Sequence, residues 1–592
     1  MPSPDLRQAF FSPVKTVVTF FSLATATQYV LGGAPAQPVN DPVAYLQALP
    51  ADVREVVIEP GVYRLPEKGL LLTEVSDLSI VADGVTFLAT NPTGPALTFT
   101  HCADITVRGL TIDYDPLPFT QGTITAVDRA ARTAEVEIDA GYPVLTELYL
   151  VNRMHLFEPD VHQLKPGAPD YYFKRFERIS DTRGRIVFRE NEPGLDFVEV
   201  GDRAAFNPRS ESGVKIMEGC RGLRFEDVTI HTSPGLGVIV RFADEAGVFE
   251  GLKIVPGPPP AGATAERLLS TCADAFNAAY TRKGPVLDGC EFAYMGDDSL
   301  NLHGVVLPVL QWIDERTFLS MRHQANERFD RVIHPGDEVR FLGDRDYGLL
   351  ATATIESFEI VDEPYSKWRP LALQFWPTFK HSKAATFFRV QLTEPVEGVP
   401  VGSISEYLIT AASDFVVRDS YFHDHRGRGL RIMAGNGVIE NNRFERIKDA
   451  GISMGPEFDF WREAGWVKDV TVRGNTFVRV GEGMPAIPED LYTFGVITVF
   501  ARATPEGHGT VYYPGNENLL IEGNRIEQSP RDGINISAAR DVTVRDNHIE
   551  AVNQGDLSAM GESFGLSSGQ PITVNQASVL MEDNTIIVND TL

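Results

Sequence analysis

DVTVRDNHI, residues 541–549, alternates apolar and polar side chains and closes on Asn, a polar residue and an apolar one. That alternation is the period of a β-strand with one face turned inward. The closing phrase returns as VRDSYF at 417–422, IENNRF at 439–444, VRGNTF at 472–477, IEGNRI at 521–526 and MEDNTI at 581–586, with Ser for Asn in the first. Phe422 and Phe444 are 22 residues apart, and Ile526 and Ile549 are 23 apart. Upstream, VTI ending at Ile230 and LKI ending at Ile254 lie 24 apart. Repeats of this length are stacked supersecondary units. Short β runs broken by Gly, Asn and Asp exclude helical repeats, and a leucine and asparagine ladder of the horseshoe type is missing. The reading is all-β, a right-handed parallel β-helix. Asn442, Asn475, Asn524, Asn547 and Asn584 are read as turn formers or rungs of an internal ladder, because Asn tolerates the left-handed region.

The remaining composition limits the function. At 592 residues the chain can bury a large core, and 23% charged and 10% aromatic residues describe a folded protein. A net charge of −28 argues against nucleic acid or an anionic membrane as partner, since both need a basic footprint. It also disfavours polyanionic substrates unless local arginines override it, whereas a neutral glycan carries no such penalty. Cys102, Cys220, Cys272 and Cys290 are too scattered for a zinc site or a disulfide framework and read as buried thiols.

The plan along the chain follows. Residues 1–26 read as a signal peptide: Lys15, an apolar stretch at 16–23, then Ala24-Thr25-Ala26, with the mature chain starting near Thr27. Export makes the protein secreted or periplasmic. Residues 27–118 hold an N-terminal cap and the first coils. Asp41-Pro42 opens a short helix through Leu49, which would cover the open end of the stack. From 119 to 207 and again from 305 to 402 the β alternation continues without the Asn signature. Each segment is long enough for a small inserted antiparallel sheet or barrel. Residues 208–304 and 403–592 are the intervening and C-terminal coils. Both insertions branch close to a carboxylate-rich stretch and could wall a pocket, which favours a chain-end substrate.

That stretch is CADAFNAAYTRKGPVLDGCEFAYMGDDSLNLHG, 272–304. It carries Asp274, then Asp297 and Asp298, with Asn301 and His303 just beyond. One period separates Asp274 from Asp297, so the three carboxylates should meet on neighbouring coils about 4.8 Å apart. Like charges that close raise one another's pKa, and a carboxyl kept protonated near neutral pH can serve as an acid. Consecutive aspartates point to opposite faces of a flat strand, so both reach one site only where the strand bends, as Gly296 allows. The bland reading is a turn whose carboxylates cap backbone amides, or a calcium site.

Three motifs carry a resemblance to glycoside hydrolase family 110, the inverting α-1,3-galactosidases. They are RLLSTCADAF at 267–276, GDDSLNLHG at 296–304 and FWREAGWVKDVTVRGNTF at 460–477. IDYDPLPFTQG at 112–122 and the pairing of His323-Gln324 with PGDEV at 335–339 are similar too. The resemblance implies a β-helix with inserted barrels, an exo-acting hydrolase of terminal α-linked galactose, and no cofactor or metal. It places the acid and base roles on Asp297, Asp274 and Asp298. One departure is Asn277, where the family tends to carry histidine; it bears on sugar specificity rather than on reaction type. The implied partner is a galactose-terminated oligosaccharide or glycoconjugate.

Inverting hydrolysis needs an acid for the leaving oxygen and a carboxylate for water on the opposite face, roughly 6.5–9.5 Å apart. The expected acid is Asp297, with Asp298 beside it and Asp274 one coil away to raise its pKa. Asp274 and Asp298 would then hold the water. Asn277, Asn301 and His303 are substrate-binding candidates, as are Trp461, whose ring can stack on a pyranose, and Glu463, which can accept its hydroxyls. The run His423, Asp424, His425, Arg426, Arg428 reads as a solvated loop. Two alternatives remain: a polygalacturonase-like hydrolase or polysaccharide lyase on the same fold, or a non-catalytic glycan-binding β-helix. A lyase needs a Lys or Arg base, and near Asp274 in sequence stand Arg282 and Lys283.

Overall fold

A computed structural model describes residues 41–190, 193–375, 380–458, 461–482, 494–501, 511, 513–553 and 569–587. The segment read as a signal peptide lies outside the described residues. Three parallel sheets run the length of the stack. One begins at Glu55–Val57 and ends at Val579–Glu582, the second runs from Gly61–Arg64 to Thr585–Ile587, and each has twelve strands. The third begins at Leu70–Thr73 and ends at Ile572–Asn575. The chain visits them in turn, which makes the parallel β-helix anticipated from the repeat.

The Asn phrase is the vertical seam of that stack. Asn442 Nδ2 donates to Asn475 Oδ1 at 3.0 Å, Asn475 to Asn524 at 3.0 Å, Asn524 to Asn547 at 2.9 Å and Asn547 to Asn584 at 2.9 Å. Each amide satisfies backbone that the turn leaves unpaired inside the core, where an orphan would cost about 1–3 kcal/mol. The left-handed turn falls on the residue before each rung: Asp419, Asn441, Gly474, Gly523, Asp546 and Asp583 all have φ between 49° and 63°. Ladder and turn are therefore neighbouring positions. The apolar residue two places on stacks likewise, Phe422 on Phe444 at 5.1 Å and Phe444 on Phe477 at 4.7 Å.

The N-terminal helix is Pro42–Gln47, with Asp41 accepting from the Ala44 amide at 3.1 Å and Leu46 buried in the same core as the first coils. It closes the end where an edge would otherwise stand open.

Two antiparallel units interrupt the coils. The first is six-stranded, in the order His155–Phe157, Arg203–Phe206, Thr120–Asp128, Thr133–Ile138, Arg183–Val187, Arg175–Arg178. Its core takes in Leu268, Leu269 and Cys272, the residues leading into Asp274. The buried pair Arg267–Asp113 (2.7 Å) and the bond from the Leu268 amide to Gln121 (2.8 Å) fix that lead-in. The second unit grows out of one strand, Leu300–Pro308. Its first half pairs in parallel with Leu430–Ile432 and its second half antiparallel with Ile404–Tyr407. This unit packs on the coils through Phe242, Ala279 and Tyr280. It also carries a helix, Tyr365–Phe375, that the β alternation did not announce.

Candidate active site

The third sheet sets the registers that matter. Phe276 pairs with Leu300, Asn277 with Asn301 and Ala279 with His303. Counting back along both strands sets Asp298, rather than Asp297, opposite Asp274, and the Ala275 amide donates to the Asp298 carbonyl at 2.8 Å. The three aspartates converge, each offering a carboxylate oxygen within 4.8 Å of the others. Gly296 makes this possible by close approach: a Cβ there would stand 2.5 Å from the Cys272 carbonyl oxygen.

The next coil answers the carboxylates with arginines. Leu300 pairs with Leu430, so Arg428 stands over Asp298 and Gly427 over Asp297. The Arg428 amide donates to Asp298 Oδ1 at 2.7 Å and its guanidinium to Oδ2 at 2.6 Å. Arg426 meets Asp297 Oδ1 and Arg209 meets Oδ2, each at 2.6 Å. Arg426 also pairs with Asp170 of the first insertion. Gly427 has φ 91°, and a Cβ there would lie 2.6 Å from the Asp297 carbonyl carbon. The run read as a solvated loop is therefore packed on the site. Asp424 and His425 are buried, and His425 Nε2 meets Ser299 Oγ at 2.8 Å. Ordinary spacing hid this, because the second insertion puts 130 residues between Asp298 and Arg428. Arg282 and Lys283, singled out in sequence, face away from the cluster and pair with Asp337 and Glu245.

These partners invert the expected protonation. Burial, then Asp297 and Asp298, push the Asp274 carboxyl up to about 8. Burial also raises Asp298, with Arg428 opposing. Burial would raise Asp297 too, but Arg426, Arg209 and Arg428 outweigh it and hold that carboxyl well below the usual range. The proton expected on Asp297 falls instead on Asp274, because Arg426 and Arg209 each hold an oxygen of Asp297. Four of the six carboxylate oxygens are held by Arg209, Arg426 and Arg428, a poor donor set for calcium, which takes 6–8 oxygen ligands.

A cavity of about 470 Å³ lies alongside, lined by Arg241, Asn277, Tyr280, His303, Arg322, Glu327, Trp461 and Glu463 among others. Asn277 joins it to the cluster, donating to Asp274 Oδ2 at 2.8 Å. Among the described residues the buried Oδ1 atoms of Asn277 and Asn301 and Oε2 of Glu327 have no hydrogen-bond partner. Orphaned acceptors of this kind call for hydroxyl donors from a ligand. His303 Nε2 sits 3.7 Å from Glu463, and burial, then Glu457, lift Glu463 to about 7 while burial keeps His303 neutral. Trp461 is 57% exposed at the rim. Sequence reasoning missed Arg209, Arg426, Arg428 and Glu327. Arg-Gly-Arg after a Gly-Asp-Asp, with the insertion removed, is the signal that would have found two of them.

Comparison with known proteins agrees with this architecture. The family described as a right handed beta helix region matches residues 497–591. α-1,3-Galactosidase B of Bacteroides thetaiotaomicron is 24% identical over 81% of this chain and 80% of its own length. α-1,3-Galactosidase A of Streptomyces avermitilis is 24% identical over 81% of this chain and 76% of its own. α-1,3-Galactosidase A of Bacteroides fragilis is 24% identical, covering 69% of this chain and 65% of that protein. Among solved structures, the catalytic unit of a GH87 α-1,3-glucanase from Streptomyces thermodiastaticus aligns with a TM-score of 0.39 at 10% identity, covering 94% of this chain and 68% of that one. The likeness read from the motifs is therefore a likeness, along most of the chain, to curated α-1,3-galactosidases.

Proposed function

We propose that this glycoside hydrolase removes terminal α-1,3-linked galactose from oligosaccharides or glycoconjugates, with inversion. The observation that carries the chemistry is a split of protonation within one cluster: Asp274 holds a proton up to about pH 8, while Asp297 stays ionised. Two carboxyl groups pushed apart in pKa are an acid and a base assignment. Asp274 is the proton donor to the leaving oxygen, and Asp297, with Asp298 behind it, orients and activates water.

Spacing alone would not choose inversion, since the oxygens converge within 4.8 Å, nearer the ~5 Å of retaining pairs than the gap inverting pairs leave. Engagement of the oxygens favours it. Both oxygens of Asp297 are held by arginines and both of Asp298 by Arg428. A carboxylate so tied keeps a lone pair for a water proton but is a poor covalent nucleophile. A walled cavity beside the cluster, closed by the second insertion and Trp461, suits a chain end. Export through residues 1–26 belongs to the same reading, and amino-terminal sequencing of secreted protein checks it: a start at Met1 excludes it.

The test is hydrolysis of a panel of α- and β-linked galactosides with the first-formed anomer followed by NMR. An α-galactoside should yield β-galactose. Release of α-galactose, or of an unsaturated sugar absorbing in the ultraviolet, would refute the assignment.

A further inference from the structure

The first insertion brings an unmatched positive charge to the Asp297 end of the cluster. Arg153, Arg209, Arg426 and Lys448 gather there around two carboxylates, Asp170 and Asp297. Asp170 takes Arg426 and Lys448 (3.7 Å), and Asp297 takes Arg426 and Arg209. Arg153 makes no ion pair or hydrogen bond among the described residues. It lies over the Tyr172 ring, 4.8 Å from its centroid, and its Nε is buried without a partner. Burial and then the neighbouring Arg209 make its charge costly to hold, with the Tyr172 ring and Asp297 opposing. Two residues on, His155 is 6% exposed and its Nε2 is likewise buried and unpartnered, with burial and Arg426 keeping the ring neutral. In a chain of net charge −28, a half-buried guanidinium with no ion pair among the described residues, near an orphaned imidazole nitrogen, is an arrangement that an anion would complete.

We infer that this end of the site takes an anionic group, a sulfate half-ester or a carboxylate, carried by the glycan. The Arg153 fork can bind two of its oxygens at once, as guanidinium groups bind planar or tetrahedral oxyanions. His155, with its proton on Nε2, donates to a third. The inference rests on the galactosidase reading for the identity of the glycan, though not for the anion site itself.

Two measurements keep these apart. In the first, a neutral α-1,3-galactosyl disaccharide is compared with the same disaccharide sulfated or carboxylated on either sugar, at constant ionic strength. The wild-type protein should favour an anionic one in kcat/KM, and Arg153→Gln should lower that preference by about ten- to a hundred-fold, the range for a lost charge-assisted bond. Arg153→Lys, which keeps the charge and loses the fork, should fall between. No preference in the wild type, or one unmoved by both substitutions, overturns the proposal; which derivative is preferred distinguishes sulfate from carboxylate. In the second, binding of inorganic sulfate is titrated by calorimetry against chloride at matched ionic strength. Saturable binding that Arg153→Gln abolishes supports the site even if neither disaccharide is cleaved, an outcome that would sink the galactosidase reading alone. Absence of such binding in that case overturns both.

Discussion

Asp274→Asn should stabilise the protein while removing its activity. The native carboxyl holds its proton up to about pH 8, whereas the ordinary value is 3.8. Between those values the unfolded chain has released a proton that the folded chain keeps, so stability falls as pH rises across the window. At pH 7 the full conversion, at 1.36 kcal/mol per unit, is about 4 kcal/mol. Asparagine is neutral in both states and avoids that penalty. Its amide oxygen can still accept from Asn277, whose bond to Asp274 Oδ2 is 2.8 Å. Part of the elevation belongs to the neighbouring charges of Asp297 and Asp298, and the substitution relieves them as well. Urea unfolding of both proteins at pH 4, 5.5, 7 and 8.5 measures the difference. The gain of the variant should be near zero at pH 4, climb by about 1.4 kcal/mol per unit, and level off above pH 8. Its kcat should fall about 10²–10⁴-fold, as for loss of a general acid. A pH-independent difference, or a variant less stable at pH 7 than the wild type, would refute the protonation argument.

Wild-type kcat/KM should decline above about pH 8 as Asp274 loses its proton; a decline beginning below pH 6 would place the acid elsewhere. Arg209→Gln removes one of the two guanidiniums on Asp297 (2.6 Å), so the acid limb of the pH profile should move upward, and an unmoved limb would show that Asp297 is not the base. Gly427→Ala sets a methyl 2.6 Å from the Asp297 carbonyl carbon at φ 91°, and should cut kcat at least 10-fold with the fold retained by circular dichroism, since ~1 Å misplacement at a site costs about that much or more. Asn475→Ala breaks the ladder on both sides, where Asn475 receives from Asn442 and gives to Asn524, and should destabilise by about 1–3 kcal/mol with unchanged turnover of the folded protein.

The fold was legible because its rungs repeat in sequence. Each coil writes the same short phrase, since each must supply one Asn to the ladder and one apolar ring to the stack, as Asn475 and Phe477 do. The terminal helix was legible for a local reason, an Asp cap followed by Pro. The carboxylates of the site were legible as a cluster, because two of them sit one coil from the third. Their protonation was not, because it is set by residues distant in the chain. Arg428 reaches Asp298 across 130 residues, and Arg426 reaches Asp170 across 256. Intervals that an insertion stretches carry no period, so the Arg-Gly-Arg turn looked like a surface loop. Glu327 was missed for a different reason: it comes from the second insertion, where nothing repeats.

Those insertions also explain why acid chemistry and sugar recognition occupy different ends of one strand. The first stands between a strand of the second sheet, Thr111–Tyr114, and one of the third, Val214–Ile216, at the turn by which the chain enters the third sheet. The second stands between Leu300–Pro308 and Val416–Arg418, at the turn by which it leaves. Asp297 and Asp298 precede the strand at the entering end, and Asp297 meets Arg209, which follows the first insertion. Asn301 and His303 lie farther along, toward the second insertion, and His303 shares the cavity with Arg322 and Glu327 of that unit. Each insertion thus meets a different half of the site. A β-helix alone gives flat faces with every backbone group paired, and a flat face neither excludes water nor holds unlike charges at fixed distances. The coils supply the registers that bring three aspartates together, and with them Arg426 and Arg428, which together with Arg209 divide the protons unequally. The leaving insertion supplies the wall against which a terminal sugar can rest. Substitutions at Arg209, Arg426 and Arg428 should therefore move pH profiles, and those in the second insertion should move KM.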